Sequence, residues 1–289
     1  MSAHAVEIRG LCKSQGTFTL GPLDLTVPEG ALYGLVGPNG AGKTTTLDLI
    51  FGMGGRSRGT IRVLGLDHLR DEVAMKRQVG YVSPELTYQA WGRVGAAMDF
   101  VRGFHASWDN SYADRLLGTF GLERRAAIAT LSFGARTKLG LVLALAWRPK
   151  LLVLDEPTVG LDAISKQQVF AELLAAVGEG RTVLISSHAI TDLERFADHV
   201  GMIKGGRMVF GGLIDAVVDR YRLVDVEAGA SVRFDTEPGV WVQHREANRW
   251  RLLLDRETKA LDAIRDRGAS CLSEAPVTLE ELFIALGRS

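Results

Sequence analysis

The chain has 289 residues, with 34 Lys+Arg against 34 Asp+Glu, which leaves room for one large domain and a smaller appendage. Zero formal net charge supplies no basic field for gripping nucleic acid, and two distant cysteines, Cys12 and Cys271, fit a reducing compartment better than a disulfide framework or a metal site. There is no apolar amino-terminal stretch with a basic flank, and the longest apolar run, Leu139 to Trp147, is under half a membrane span; neither a signal peptide nor a membrane-crossing segment is expected, and any spans must come from another chain.

Residues 6–29 alternate apolar and polar positions (Val6, Ile8; Phe18, Leu20; Leu23, Leu25, Val27) and read as half-buried antiparallel strands. The apolar run Ala31 to Val36 reads as a buried strand. It enters Gly37-Pro38-Asn39-Gly40-Ala41-Gly42-Lys43-Thr44-Thr45, which matches G-x-x-x-x-G-K-[ST], and residues 45–51 read as the helix leaving that loop. Glycines at these places let successive backbone N–H groups turn inward around a polyphosphate, and the helix adds its positive end. The Lys43 ammonium is expected on the β- and γ-phosphates, and the Thr44 hydroxyl on Mg²⁺. Phosphate-loop kinases open directly on the loop's strand, so the β prelude sets this chain apart; residues 59–65 read as one more strand of that layer.

After Val79 to Glu85 the pattern turns helical. Trp91 to Phe104 carries Val94, Met98, Val101 and Phe104 at helical spacing; Asp109 or Asn110 caps a second helix that Gly121 stops; Ser132 caps a third that runs to Trp147. Leu151-Leu152-Val153-Leu154-Asp155-Glu156 reads as a central parallel strand ending in two acids, and Val183 to His188 as another ending in polar groups. A helix at 169–177 lies between them, and Val200 to Phe210 reads as a hairpin turning on Gly205-Gly206. Beyond Asp215 the signals weaken: residues 232–234, 240–242 and 250–254 read as short strands, and 261–264 and 279–286 as helices.

Asp155, at a strand end beside the loop, is placed to hold Mg²⁺ directly or through water, and Glu156 is expected on the other side of the pleat, polarising a water against the γ-phosphate. His188 ends a neighbouring buried strand and is either a hydrogen-bond donor to a γ-phosphate oxygen or structural. Ser132-Phe133-Gly134 at a helix start makes a second anion site. If that site does not face the chain's own loop it faces another chain's, and the nucleotide is then held between two subunits.

In this order, the β prelude, GPNGAGKTT, GYVSPE, a helical block, LSFGA, LLVLDEP, Thr158-Val159-Gly160-Leu161-Asp162 and Ser187-His188 resemble the ATP-binding cassette (ABC) ATPases over about residues 5–215. The resemblance implies an α/β P-loop NTPase fold with an antiparallel β layer, an inserted helical subdomain at about 86–148 within a 1–215 ATPase domain, and a small α/β appendage at 216–289. It also implies ATP and Mg²⁺ as ligands, Glu156 as general base, His188 as γ-phosphate switch and Asp162 as dimer-coupling residue. Ser132 and Gly134 become contacts made in trans; Thr44, Asp155 and Glu85 serve the metal. The FxxxWD stretch (Phe104 to Asp109) and Val277 to Phe283 look like the ABC-2 type exporter branch, which keeps its ATPase and its membrane permease on separate chains. A dimeric, cytoplasmic subunit held to the inner face of the membrane by that permease would follow, without nucleic acid as a partner. Three positions depart from the family pattern: Glu85 stands where glutamine is frequent, Phe133 where glycine or a lysine-like residue is usual, and Gln15 where an aromatic ring commonly stacks on adenine. Two other readings stay open: a mainly nucleotide-binding partner in a heterodimer, and a non-transport ABC protein.

Overall fold

The computed structural model describes residues 4–16, 18–229 and 231–288. The chain opens with β1 (His4–Gln15), β2 (Phe18–Pro28) and β3 (Leu32–Val36), then α1 (Lys43–Ile50), β4 (Arg58–Val63), β5 (Leu66–Asp67), α2 (Glu72–Lys76) and β6 (Val79–Val82). A helical block follows: α3 (Val94–Arg102), α4 (Asn110–Phe120) and α5 (Phe133–Leu145). After it come β7 (Leu151–Asp155), α6 (Ala163–Gly178), β8 (Thr182–Ser187), α7 (Ile190–Phe196), β9 (His199–Lys204) and β10 (Arg207–Leu213). The last elements are α8 (Ile214–Arg220), β11 (Tyr221–Glu227), β12 (Val240–Glu246), β13 (Arg249–Asp255), α9 (Ala260–Asp266), β14 (Ser270–Pro276) and α10 (Leu279–Arg288). Two compact units result: residues 1–189 with 196–209, and residues 190–195 with 210–289.

The first unit holds two sheets. One is antiparallel, in the order β2-β1-β4-β5; the other has the order β10-β9-β3-β8-β7-β6, with β9, β3, β8, β7 and β6 parallel. Every residue of β3, β7 and β8 is buried, as continuous apolar runs require in a sheet covered on both faces. The alternating residues of the prelude point inward: Val6, Ile8, Leu23, Leu25 and Val27 pack with Leu47 and Ile50 of α1 and with Leu35, Val153 and Leu184 of the parallel sheet. Each such side chain contributes roughly 1.5–3 kcal/mol by leaving water, so the prelude and the phosphate-loop helix are clamped to the sheet that carries the site.

In the helical block, the Asp109 carboxylate accepts the Tyr112 N–H at 2.9 Å, Gly121 closes α4 at φ 65°, and the Ser132 hydroxyl accepts the Ala135 N–H at 3.1 Å. The first helix is shorter than its spacing predicts. Gln89–Trp91 forms a separate 3-10 turn, Gly92 breaks the chain at φ 68°, and α3 ends at Arg102. Phe104, expected on the apolar stripe, therefore lies past the helix end and is 68% exposed.

The second unit is a four-stranded antiparallel sheet, β12-β13-β11-β14, over a core of Val224, Val226, Trp250, Leu252, Ala260 and Ile264. Residues 232–234 are not a strand: they run irregularly and insert Phe234, fully buried, edge-on to Trp250 at 5.2 Å between ring centres. The strands beside β13 are β12 and β11, and neither β11 nor β14 is anticipated by the sequence pattern.

Candidate functional site

Parallel pairing sets the site. Val36 at the end of β3 pairs with Ser187 on β8, and Asp155 at the end of β7 pairs with Ser186. The three loops leaving β3, β8 and β7 thus emerge level at one sheet edge, where open α/β sheets bind ligands. Gly37 makes a close approach: a Cβ there would lie 2.2 Å from the Ile203 carbonyl oxygen. Gly40 and Gly42 take φ of 75° and 107°, which only glycine adopts without strain. Asn39, Gly40, Ala41, Gly42, Lys43, Thr44 and Thr45 line an open cleft of about 390 Å³, together with Phe18 and Glu156.

Lys43 Nζ lies inside the loop, donating to the Gly37 carbonyl at 2.7 Å and standing 3.8 Å from Glu156 Oε1. Its other close acceptor is the Pro38 carbonyl at 3.4 Å. Buried on all but 7% of its surface, this ammonium is held by neutral carbonyls and one carboxylate, a pocket of acceptors matched to a cation. The Thr44 hydroxyl donates to Asp155 Oδ2 at 2.8 Å. Together they form an all-oxygen donor set beside the phosphate cleft, which suits a hard cation such as Mg²⁺ that also takes phosphate oxygens. No group of three or more His, Cys, Asp or Glu arranged to hold a metal occurs among the described residues. The Glu85 side chain is exposed and does not line this cleft; its backbone N–H donates to Ser83 Oγ at 3.3 Å.

Glu156 departs from the expected pleat alternation. The strand ends at Asp155, and Glu156 turns at φ 47°, which brings its carboxylate back over the strand end. There Oε2 lies 2.8 Å from His188 Nδ1. A carboxylate only accepts, so this contact places a proton on Nδ1, and Nε2 must carry one as well for the ring to donate to a phosphate oxygen. Ser186 completes the arrangement, and the sequence motifs did not single it out. Its buried hydroxyl donates to Asp155 Oδ1 at 2.5 Å and accepts the Glu156 N–H at 2.9 Å. The available signal was a buried strand ending in consecutive serines before a histidine.

Ser132, Gly134 and Asp162 do not line their own chain's cleft. They form a second locus. Ser132 caps α5; Asp162 caps α6, accepting the Ser165 N–H at 2.7 Å, and that backbone bond holds its carboxyl below the usual carboxylate range. The edge of the Phe133 ring abuts Gly160 between them. Gln15 ends β1, and its side chain lies outside the described residues; Phe18, its strand partner, reaches the cleft beside Gly42.

A groove of about 240 Å³ runs between Phe51, Val79 and Tyr81 on one wall and Val101, His105, Leu143 and Trp147 on the other. His105 stacks on Trp147 at 3.9 Å, and burial lowers its pKa; burial pushes the Tyr88 hydroxyl up to about 12. A run of rings, Tyr88, Trp91, Phe100 and Phe104, follows with centres 5.8, 5.1 and 5.1 Å apart. No described helix is long and apolar enough to cross a membrane.

A loop that grips phosphate, an acidic strand end beside it and a carboxylate turned toward a histidine define a P-loop nucleoside triphosphatase. Comparison with known proteins narrows this class. Residues 20–159 match the family described as ABC transporter. The chain is 31% identical over 306 residues to the daunorubicin/doxorubicin resistance ATP-binding protein DrrA of Streptomyces peucetius, covering 98% of this chain and 92% of that protein. It is 29% identical over 292 residues to the ABC transporter ATP-binding protein YtrB of Bacillus subtilis (strain 168), covering 97% of each. A solved structure, "Structure of ATP binding subunit of ABC transporter", matches 74% of this chain and 92% of its own with a TM-score of 0.68 and 26% identity. The chain belongs to the ABC transporter family, as an ATP-binding subunit that hydrolyses ATP to drive transport.

Proposed function

We propose that this chain is the ATP-hydrolysing subunit of an exporter whose membrane permease is a separate chain, and that ATP works by closing two cassettes on each other. The export reading is supported by likeness to a drug-resistance ATP-binding protein. Lys43 and the N–H groups of residues 39–45 bind the β- and γ-phosphates, and Thr44 and Asp155, with Glu85 as the third oxygen donor, would hold Mg²⁺. That ion, when bound, neutralises phosphate charge. Glu156 accepts a proton from the attacking water as its oxygen bonds to the γ-phosphorus and ADP leaves; His188 orients Glu156 and the γ-phosphate. Ser132, Gly134 and Asp162 complete the cage on a second copy's nucleotide. The apolar groove and the exposed rings beside it receive the permease, which places the chain at the inner face of the membrane.

The observation that carries this reading is the Glu156 carboxylate, turned off its strand and seated between Lys43 at 3.8 Å and His188 at 2.8 Å. Glu156→Gln is expected to abolish phosphate release while leaving ATP binding intact, and to trap a magnesium–ATP dimer measurable by light scattering. Turnover at the unaltered rate would remove Glu156 from its role. His188→Ala is expected to lower kcat on the order of 100-fold or more; a change of a few-fold would make the histidine structural.

A further inference from the structure

On the two-cassette reading, two segments of this chain face the neighbouring cassette: the start of α5, with Ser132 and Gly134, and the far end of the Glu156–Asp162 turn, with Asp162. Within one chain they are in direct contact. A Cβ built on Gly160 would lie 2.7 Å from Phe133 Cδ1, 3.3 Å from Cε1 and 3.9 Å from Cγ, so the edge of the ring abuts the glycine. A Cβ built on Gly134 would lie 2.8 Å from the Gly160 carbonyl oxygen and 3.0 Å from Leu161 Cδ2. Gly160 is thus contacted at its Cα by the Phe133 ring edge and at its carbonyl by Gly134. The turn itself is tightly built: the Val159 N–H donates to the Glu156 carbonyl, the Leu161 N–H to the Thr158 carbonyl, and Asp162 caps α6. Gly160 adopts φ 75°, and its missing Cβ is what leaves room for the ring. Phe133 is 41% exposed and lines an open cavity with Thr87, Tyr88, Arg136 and Thr137, so it is not placed there to fill a core.

We infer that Phe133 is a positioning residue: through Gly160 it locks the start of α5 to the Glu156–Asp162 turn, so that Ser132, Gly134 and Asp162 meet a second cassette as one preassembled face. The inference rests on the two-cassette reading above and gives a role to a residue whose size would otherwise suggest an impaired site. Without the ring, the two segments must be ordered against each other at the moment of assembly, and that ordering cost falls on association rather than on nucleotide binding within one chain.

The test uses the full chain carrying Glu156→Gln with magnesium–ATP, and reads the dimer dissociation constant by sedimentation, the affinity for a fluorescent ATP analogue, and the thermal midpoint. Phe133→Leu, which still covers Gly160, is expected to dimerise within about twofold of the parent. Phe133→Ala is expected to weaken the dimer about tenfold, with nucleotide affinity and midpoint unchanged. Gly160→Ala is expected to weaken the dimer more when Phe133 is present than in the Phe133→Ala background, because its new Cβ collides with the ring only in the former. Phe133→Ala that dimerises equally or more tightly overturns the inference and marks the ring as an obstruction. Loss of midpoint and nucleotide affinity in step with dimerisation also overturns it, in favour of a purely structural ring. A parent that stays single at saturating nucleotide overturns the two-cassette reading itself, and this inference with it.

Discussion

Glu156 has a backbone at φ 47°, a conformation that costs an L side chain on the order of 1 kcal/mol or more and persists only where surrounding bonds hold it. Ser186 is the principal holder, taking the Glu156 N–H on the same hydroxyl that donates to Asp155. One side chain therefore fixes both acids of the strand end. Ser186→Ala leaves Asp155 Oδ1 without its donor, with the Thr44 hydroxyl still on Oδ2, and the Glu156 turn without its anchor. The expected outcome is a kcat lower by roughly tenfold or more with KM for ATP within about twofold, because the phosphate loop is not touched. A larger change in KM than in kcat would assign Ser186 to nucleotide binding instead. The acids were legible in the sequence, since four apolar residues running into Asp155-Glu156 have few other meanings. The direction of Glu156 was not. Pleat alternation assumes that the strand continues through it, and the strand stops one residue earlier.

At the scale of elements, what could be read was whatever depends on local chemistry. The caps at Asp109 and Ser132 and the stop at Gly121 are single-residue signals, and all three form. Fully buried parallel strands announce themselves as apolar runs. In β11 the buried Tyr221, Leu223, Val224 and Val226 fall on both faces of the strand and are mixed with Arg222 and Asp225, so no single alternation runs through it, and β14 is an edge strand with nearly every side chain exposed. The junction of the helical block with α6 was likewise invisible, because it joins residues far apart in the chain. Glu172 on α6 is 6% exposed and accepts both Arg115 Nη1 and Nη2 from α4, at 2.6 and 3.0 Å, and the Tyr112 hydroxyl at 3.3 Å. The pair is asymmetric, with the Arg115 side chain 56% exposed and the Glu172 side chain 8%. Removing the arginine strands a buried carboxylate, whereas neutralising the glutamate leaves an arginine that water can serve. Arg115→Ala is therefore expected to lower unfolding stability by about 1–3 kcal/mol, and Glu172→Gln by distinctly less, in urea titrations followed by tryptophan fluorescence. Equal losses would show that the carboxylate is already served by water.

For the molecule as a whole, the proposed permease reading asks for a surface to which a membrane chain can attach. The surface suited to that is the groove with its adjoining rings, where Phe100 and Phe104 are 49% and 68% exposed with their centres 5.1 Å apart. Paired exposed rings are costly to leave in water, and together they form the kind of anchor that carries most of an interface's binding energy. Neither ring lines the phosphate cleft or the second locus at Ser132 and Asp162. The double variant Phe100→Ser, Phe104→Ser should therefore keep basal ATP hydrolysis and the magnesium–ATP dimer of the Glu156→Gln background, yet fail to co-purify with its permease from detergent-solubilised membranes. Two outcomes separate the possible errors. Full co-purification with the rings removed would move attachment to another surface and leave the ATPase reading intact. Loss of basal hydrolysis would mean that the rings support the fold of the helical block, whose α3 and α5 they adjoin. Only the combination of preserved hydrolysis and lost attachment separates the two tasks on this chain, with ATP handled at the strand ends and force delivered through the aromatic edge.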